Sequence, residues 1–174
     1  MSQEEKCYLC EESAGISLIA GDKYEVNCEI CGKYIFLDGK NEVRYNKMPR
    51  DKKAMISAYS RERFELGEEP PRLGDPKDFE EIIEEYKSKT AGEKLKNLIW
   101  YLRIKSSQLG DSVSTDAEKD YPITYSLSHE GFTEIVKNPI GQKLIEPTES
   151  GLKLTEEGWT LGTELMESKE RGEP

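Results

Sequence analysis

The sequence predicts an α+β chain in two parts, a small cysteine-held unit followed by a mainly helical domain, on three observations. All four cysteines fall within the first 31 residues, as Cys7-x-x-Cys10 and Cys28-x-x-Cys31. Behind them run apolar residues at helical spacing, the strongest stripe being Leu95, Leu98, Ile99 and Leu102. The last third carries a strand, turn, strand pattern, Lys143 to Glu146 and Leu152 to Leu154 around a Pro-Thr-Glu-Ser-Gly turn, and then a closing helix.

At 174 residues the chain can form one ordinary core, or a metal-stabilised unit joined to a compact second domain. The second arrangement fits better, because the cysteines gather at one end and the longest apolar run is only Leu98-Ile-Trp-Tyr-Leu102. No segment approaches the length of a membrane span. The opening MSQEEKCYLC is acidic and lacks an apolar stretch, so it does not read as a signal peptide, and a cytoplasmic location is expected. In that reducing compartment four cysteines point to a metal site rather than to two disulfides.

Two C-x-x-C turns 17 residues apart can place four thiolates at the corners of a tetrahedron. One structural zinc ion held by Cys7, Cys10, Cys28 and Cys31, in a zinc ribbon over residues 1–40, is therefore expected in place of a redox C-x-x-C pair. Gly32 suits the left-handed conformation that closes such a turn. A catalytic zinc keeps one position open for water, and four cysteines leave none. Within the ribbon, Ile16 to Ala20, Tyr24 to Asn27 and Tyr34 to Leu37 read as strands, with turns at Gly21-Asp22 and Asp38-Gly39.

Residues 41–66 read as a basic connector and a helix over 52–66, with Met55, Ile56, Tyr59, Arg63 and Leu66 on one face and Gly67 at its end. Residues 67–77, GEEPPRLGDPK, have the composition of a linker. Asp75 and Pro76 open a helix carrying Phe79, Ile82, Ile83 and Tyr86. Thr90-x-x-Glu93 is a capping box for the core helix, which stops by Gly110. A loop over 111–120 follows, then an extended Tyr121–Tyr125, because the residue before a proline is pushed out of the helical region. Ser128 caps a helix with Phe132, Ile135 and Val136, ended or kinked at Pro139. Thr155 caps the last helix, with Trp159, Leu161 and Leu165, and the tail 169–174 frays. Helix, helix, two-stranded wing and closing helix is the order of a winged-helix domain, placed at 78–168.

The formal charge of −10 opposes nucleic acid on average. Locally the balance differs: residues 33–63 hold nine Lys or Arg against four Asp or Glu, and residues 64–93 hold four against ten. The better nucleic-acid candidate is Arg44, Lys47, Arg50, Lys52 and Lys53, with Tyr34 and Tyr45 nearby. Its plainer reading is a solvated turn and helix start. On the winged helix the cations are Lys137 and Lys143, offset by Glu130, Glu134 and Glu149, a poor surface for phosphates. His129 is the one histidine and directly follows Ser128, so the two side chains diverge; it reads as a helix-start residue. There is no phosphate-loop or dinucleotide fingerprint.

The C-x-x-C-G knuckle together with the segments RERFELGEEPPRL, EKLKNLIWYLR, DYPITYSL and LKLTEEGW resembles one module across nearly the whole chain. It is the N-terminal zinc-ribbon plus winged-helix region of uncharacterised bacterial and archaeal proteins that often continue into a TIR-like or nucleoside deoxyribosyltransferase-like domain. Some of those resemble anti-phage effectors. Pro139 and Gly141 depart from the pattern, since similar chains carry a continuous helix there. The resemblance implies a non-enzymatic module, because the chain stops where the catalytic domain would begin and no catalytic residue carries over. A zinc-binding adaptor that docks on a protein partner, such as a separately encoded effector, with nucleic-acid contact through the basic stretch, is the leading expectation. A winged-helix transcription regulator that binds operator DNA as a dimer is the alternative, and an enzyme the weakest reading.

Overall fold

The structure, a computed structural model, describes residues 3–21, 23–37, 47–74, 76–87, 89–138 and 141–171. Helices and strands are mixed along the chain, which divides into two units. One contains the chain up to Lys89 together with Tyr125–Leu127, and the other contains Thr90–Thr124 and the chain from Ser128 onward.

Alternating apolar residues build a five-stranded sheet in the first unit: β1 (Gln3–Lys6), β2 (Ser13–Ala20), β3 (Lys23–Cys28), β4 (Gly32–Leu37) and β5 (Arg72–Leu73), in that spatial order. All neighbours are antiparallel except β4 and β5. Ile16 stands opposite Val26, Val26 opposite Tyr34, and Phe36 opposite Leu73. Paired residues share a face, so these five side chains make one continuous core layer, and all are buried. The three expected strands are present and longer than their apolar runs. β1 carries no alternation of its own and is held by pairing with β2.

The reading of residues 67–77 as a linker is corrected. Pro71 accepts a hydrogen bond from the Ile35 N–H at 2.9 Å, and Leu73, only 1% exposed, drives β5 into the sheet. The turns at Asp22 and Asp38-Gly39, and the helix-opening Asp75, lie outside the described residues.

Helix α1 (Arg50–Glu65) starts earlier than expected and ends before Gly67, whose φ of 70° reverses the chain. Its inner face also differs from the expected apolar stripe. Lys53, Ser57, Ser60 and Arg61 are buried beside Ala54, Ile56 and Ala58, whereas Leu66 is exposed. Such burial is tolerable only where each polar group has a partner, and these do, as shown below.

Helix α2 (Pro76–Lys87) buries Phe79, Ile82, Ile83 and Tyr86 as their spacing predicts, but it belongs to the first unit rather than the second. Tyr86 and Tyr125 donate their phenol hydrogens to the two oxygens of Glu62 at 2.5 and 2.9 Å. Burial and then the Glu62 carboxylate push the Tyr86 phenol well above its ordinary value. The unfolded chain releases that proton near pH ~10 while the folded chain keeps it, so stability falls as pH rises through that value. Denaturant midpoints across pH 8 to 11 should show this loss. Tyr86→Phe should cost about 1 kcal/mol at neutral pH through its lost hydrogen bond and flatten the alkaline decline. An unchanged alkaline slope in the variant would contradict the assignment.

The second unit is built on α3 (Ala91–Lys105), which opens on the expected capping box, with both halves formed by Thr90 and Glu93. It continues through β6 (Ser112–Val113), α4 (Ala117–Asp120), a 3-10 turn (Tyr121–Thr124), α5 (His129–Lys137), α6 (Gly141–Leu144), β7 (Ile145–Thr148), β8 (Gly151–Leu154) and α7 (Glu156–Glu170). The small sheet has the order β6-β8-β7 and is antiparallel. Leu98, Ile99 and Leu102 of α3 are fully buried in a core shared with Phe132, Ile145 and Leu154. Gly162 brings α7 close to α3: a Cβ there would lie 2.8 Å from the Cβ of Arg103.

Three expectations in this unit are corrected. The 111–120 loop holds β6 and α4, whose cap Asp116 accepts from the Glu118 N–H. Tyr121–Thr124 is a 3-10 turn rather than extended, because Thr124 Oγ1 donates to the Tyr121 carbonyl at 3.0 Å and Asn97 Nδ2 to the Ile123 carbonyl at 2.6 Å. These bonds outweigh the bias before Pro122. The tail begins later than residue 169, since α7 runs through Glu170 and the Lys169 ammonium lies 4.3 Å from the Trp100 ring centroid. Ser128 occupies the cap position of α5 without a side-chain cap bond, while Thr155 caps α7 by accepting from the Gly158 N–H. Pro139 is outside the described residues.

Candidate metal centre

Two tight turns face each other, Cys7–Cys10 between β1 and β2 and Cys28–Cys31 between β3 and β4. Each closes on a left-handed residue. Glu11 has a φ of 69° and donates its N–H to the Cys7 carbonyl at 2.9 Å, and Gly32 has a φ of 72°. Gly32 is needed for space as well as conformation, because a Cβ there would lie 2.6 Å from the Cβ of Phe64. At the other knuckle the Glu11 carboxylate is held by Lys53 Nζ at 2.9 Å, and this bond and charge lower its pKa.

The four sulfurs all lie within 4.8 Å of one another. With metal–thiolate bonds of about 2.3 Å, sulfurs on a tetrahedron stand about 3.8 Å apart. Cys7 and Cys31 are 3.8 Å apart and Cys10 and Cys28 are 3.5 Å apart, far beyond the ~2.05 Å of a disulfide bond. The donor set therefore fits one metal ion. Hydrogen bonds led by Cys10 hold the Cys7 thiol low, while burial pushes Cys31 up. Four thiolates at this spacing need a cation between them, and a divalent ion removes the conflict.

Around the sulfurs lies a layer of donors. The Cys31 N–H points at Cys28 Sγ at 3.5 Å, within the second knuckle. Tyr34 of β4 places its hydroxyl 3.2 Å from Cys7 Sγ, and Ser57 of α1 donates to Cys31 Sγ at 3.0 Å. Arg61 donates to the Glu29 and Ile30 carbonyls of the second knuckle, and Ser60 donates to the Lys33 carbonyl at 3.3 Å. Together with Lys53, these contacts account for the polar inner face of α1.

All four sequence-predicted ligands thus converge, but the supporting residues Ser57, Ser60 and Arg61 were missed. The available signal was a polar stripe at 53, 57, 60 and 61, with helical spacing, directly after a cysteine unit.

The candidate nucleic-acid residues divide differently. Arg44 and Tyr45 lie outside the described residues, and Lys47, Arg50 and Lys52 are exposed. Lys53 and Tyr34 are corrected: Lys53 is buried and paired with Glu11, and Tyr34 is fully buried against Cys7, so neither is presented to a phosphate or a base. Lys137 and Lys143 are exposed. The surface around Lys137 includes Glu130 and Glu134, and His129 Nε2 lies 3.0 Å from Glu130 Oε1. Among the described residues no helix is long and apolar enough to cross a membrane. Comparison of the chain with protein-family models, with curated proteins and with solved structures finds no match.

Proposed function

We propose that this chain is a non-catalytic adaptor: a zinc ribbon carrying one structural zinc, joined to a winged-helix domain that docks on a protein partner such as a defence-type effector. The observation that carries it is the closed donor set. Four thiolates occupy every tetrahedral position, backed by buried hydroxyl and N–H groups, which suits a metal that holds structure rather than one that activates water. A tetrahedral set of four thiolates on two knuckles is a donor set that structural zinc takes. The succession α3, β6, α4, α5, α6, β7, β8, α7, with the three strands in the order β6-β8-β7, supports the winged-helix reading.

The mixed charges around Lys137 favour a protein partner over DNA. The alternative, a DNA-binding regulator, retains exposed Lys137 and Lys143 in its favour. Fluorescence anisotropy of the zinc-loaded protein with mixed-sequence DNA and RNA over a salt series separates the two. Absence of binding at low salt supports the adaptor. Binding that falls steeply with salt, and loses about one unit of slope for each of Lys137→Ala and Lys143→Ala, supports the regulator. If Lys47, Arg50 and Lys52 carry the slope instead, the adaptor also contacts nucleic acid through its first unit.

A further inference from the structure

The four thiolates are not equivalent, and the difference lies in what surrounds each sulfur. Cys7 and Cys31 are 1% and 0% exposed, and each meets a buried hydroxyl, Tyr34 and Ser57 respectively. With both sulfurs as thiolates, the state in which they would bind a metal, the two hydroxyls can only donate, so each disperses charge from the sulfur it touches. Cys28, 3% exposed, receives the Cys31 N–H. Cys10 is half-buried, and its sulfur's neighbour is another sulfur, Cys28 at 3.5 Å. Among the described residues, accessibility and a sulfur met by no hydroxyl or N–H donor therefore coincide at one ligand, the combination that makes a cysteine reactive.

On the reading of the cluster as a zinc centre, we infer that Ser57 and Tyr34 are positioning residues of that centre, fixing Cys31 and Cys7. Cys10 is then the ligand at which thiol-directed electrophiles attack and metal exchange begins. With a maleimide the step is an addition. The Cys10 sulfur pair forms a carbon–sulfur bond at the ring double bond and the neighbouring carbon takes a proton from water, leaving a thioether that would no longer serve as an anionic ligand to a bound ion. The remaining three thiolates then hold the ion more weakly. α1, twenty-six residues beyond Cys31 at Ser57, is thereby part of what decides which half of the centre opens.

The test uses the full chain. Zinc content is measured first, then N-ethylmaleimide is added in small excess, and modification of each cysteine is followed by peptide mass spectrometry alongside zinc release to a chromogenic chelator. Cys10 should be modified about tenfold ahead of Cys7 and Cys31, with zinc release following Cys10. Ser57→Ala should bring Cys31 forward and speed zinc release about tenfold, and Ser57→Thr, which keeps the hydroxyl, should restore the order. Tyr34→Phe should bring Cys7 forward in the same way. If Ser57→Ala does not fold, the wild-type order and Tyr34→Phe still decide. A zinc-loaded protein whose cysteines react evenly, or whose order ignores both substitutions, overturns this inference alone. A folded protein that binds no metal overturns the zinc reading and this inference with it.

Discussion

Cys28→Ser is expected to abolish zinc retention and unfold the first unit, while the second unit keeps its own melting transition. Cys28 sits at the end of β3, paired in register with Gly32, and its sulfur receives the Cys31 N–H, so its loss removes a ligand and a knuckle contact together. A structural zinc supplies on the order of 10 kcal/mol, comparable with the whole stability of an ordinary domain, so the unit does not survive on its remaining contacts. The loss is deepened because Ser57 and Arg61 are buried against the second knuckle, and Lys53 beside the first, and would lose their partners. Metal analysis after desalting should give about one equivalent for the wild type and none for the variant. Limited proteolysis should then cut within the first 73 residues and spare α3 to α7. A variant that keeps its metal, or a metal-free wild type with an intact first unit, would refute the assignment.

The converse expectation concerns Trp100→Ala, which should destabilise the second unit by about 3–5 kcal/mol and leave zinc content unchanged. Trp100 is 2% exposed in the core beneath α7, and truncation would leave a cavity that the surrounding core residues cannot close. Lys169 would lose the ring beneath its ammonium, loosening the last turns of α7. Calorimetry should show one transition lowered and the other in place. A loss below about 1 kcal/mol would mean that the site collapses freely and that the core around α3 tolerates a cavity.

The readable parts of this chain were those with strong local signals. Paired cysteines announce their own spacing, the Thr90–Glu93 box fixes a helix start, and the Leu95, Leu98, Ile99, Leu102 stripe has one way to face a core. What escaped reading depended on partners distant in sequence. β5 is two residues long and exists only because β4 accepts it, and β6 only because β8 does. Tyr121–Tyr125 obeys Asn97 and Thr124 more than it obeys Pro122. The role of the polar face of α1 is not legible because nothing in a local window shows that Arg61 meets carbonyls some thirty residues earlier. The basic stretch failed in part for the same reason: a lysine's spacing does not tell whether its charge meets solvent or, like Lys53, a glutamate 42 residues away.

The two left-handed residues that close the knuckles differ in what holds them. Gly32 reaches its conformation without steric cost, opposite Cys28 inside the β3–β4 hairpin. Glu11 has a Cβ that resists the same conformation, and the lysine holding it arrives only when α1 has formed and docked. Both knuckles lie in local hairpins, but only the first has its closing residue tied to α1, so loosening α1 would be felt at Glu11 and leave the Gly32 turn to hold by itself.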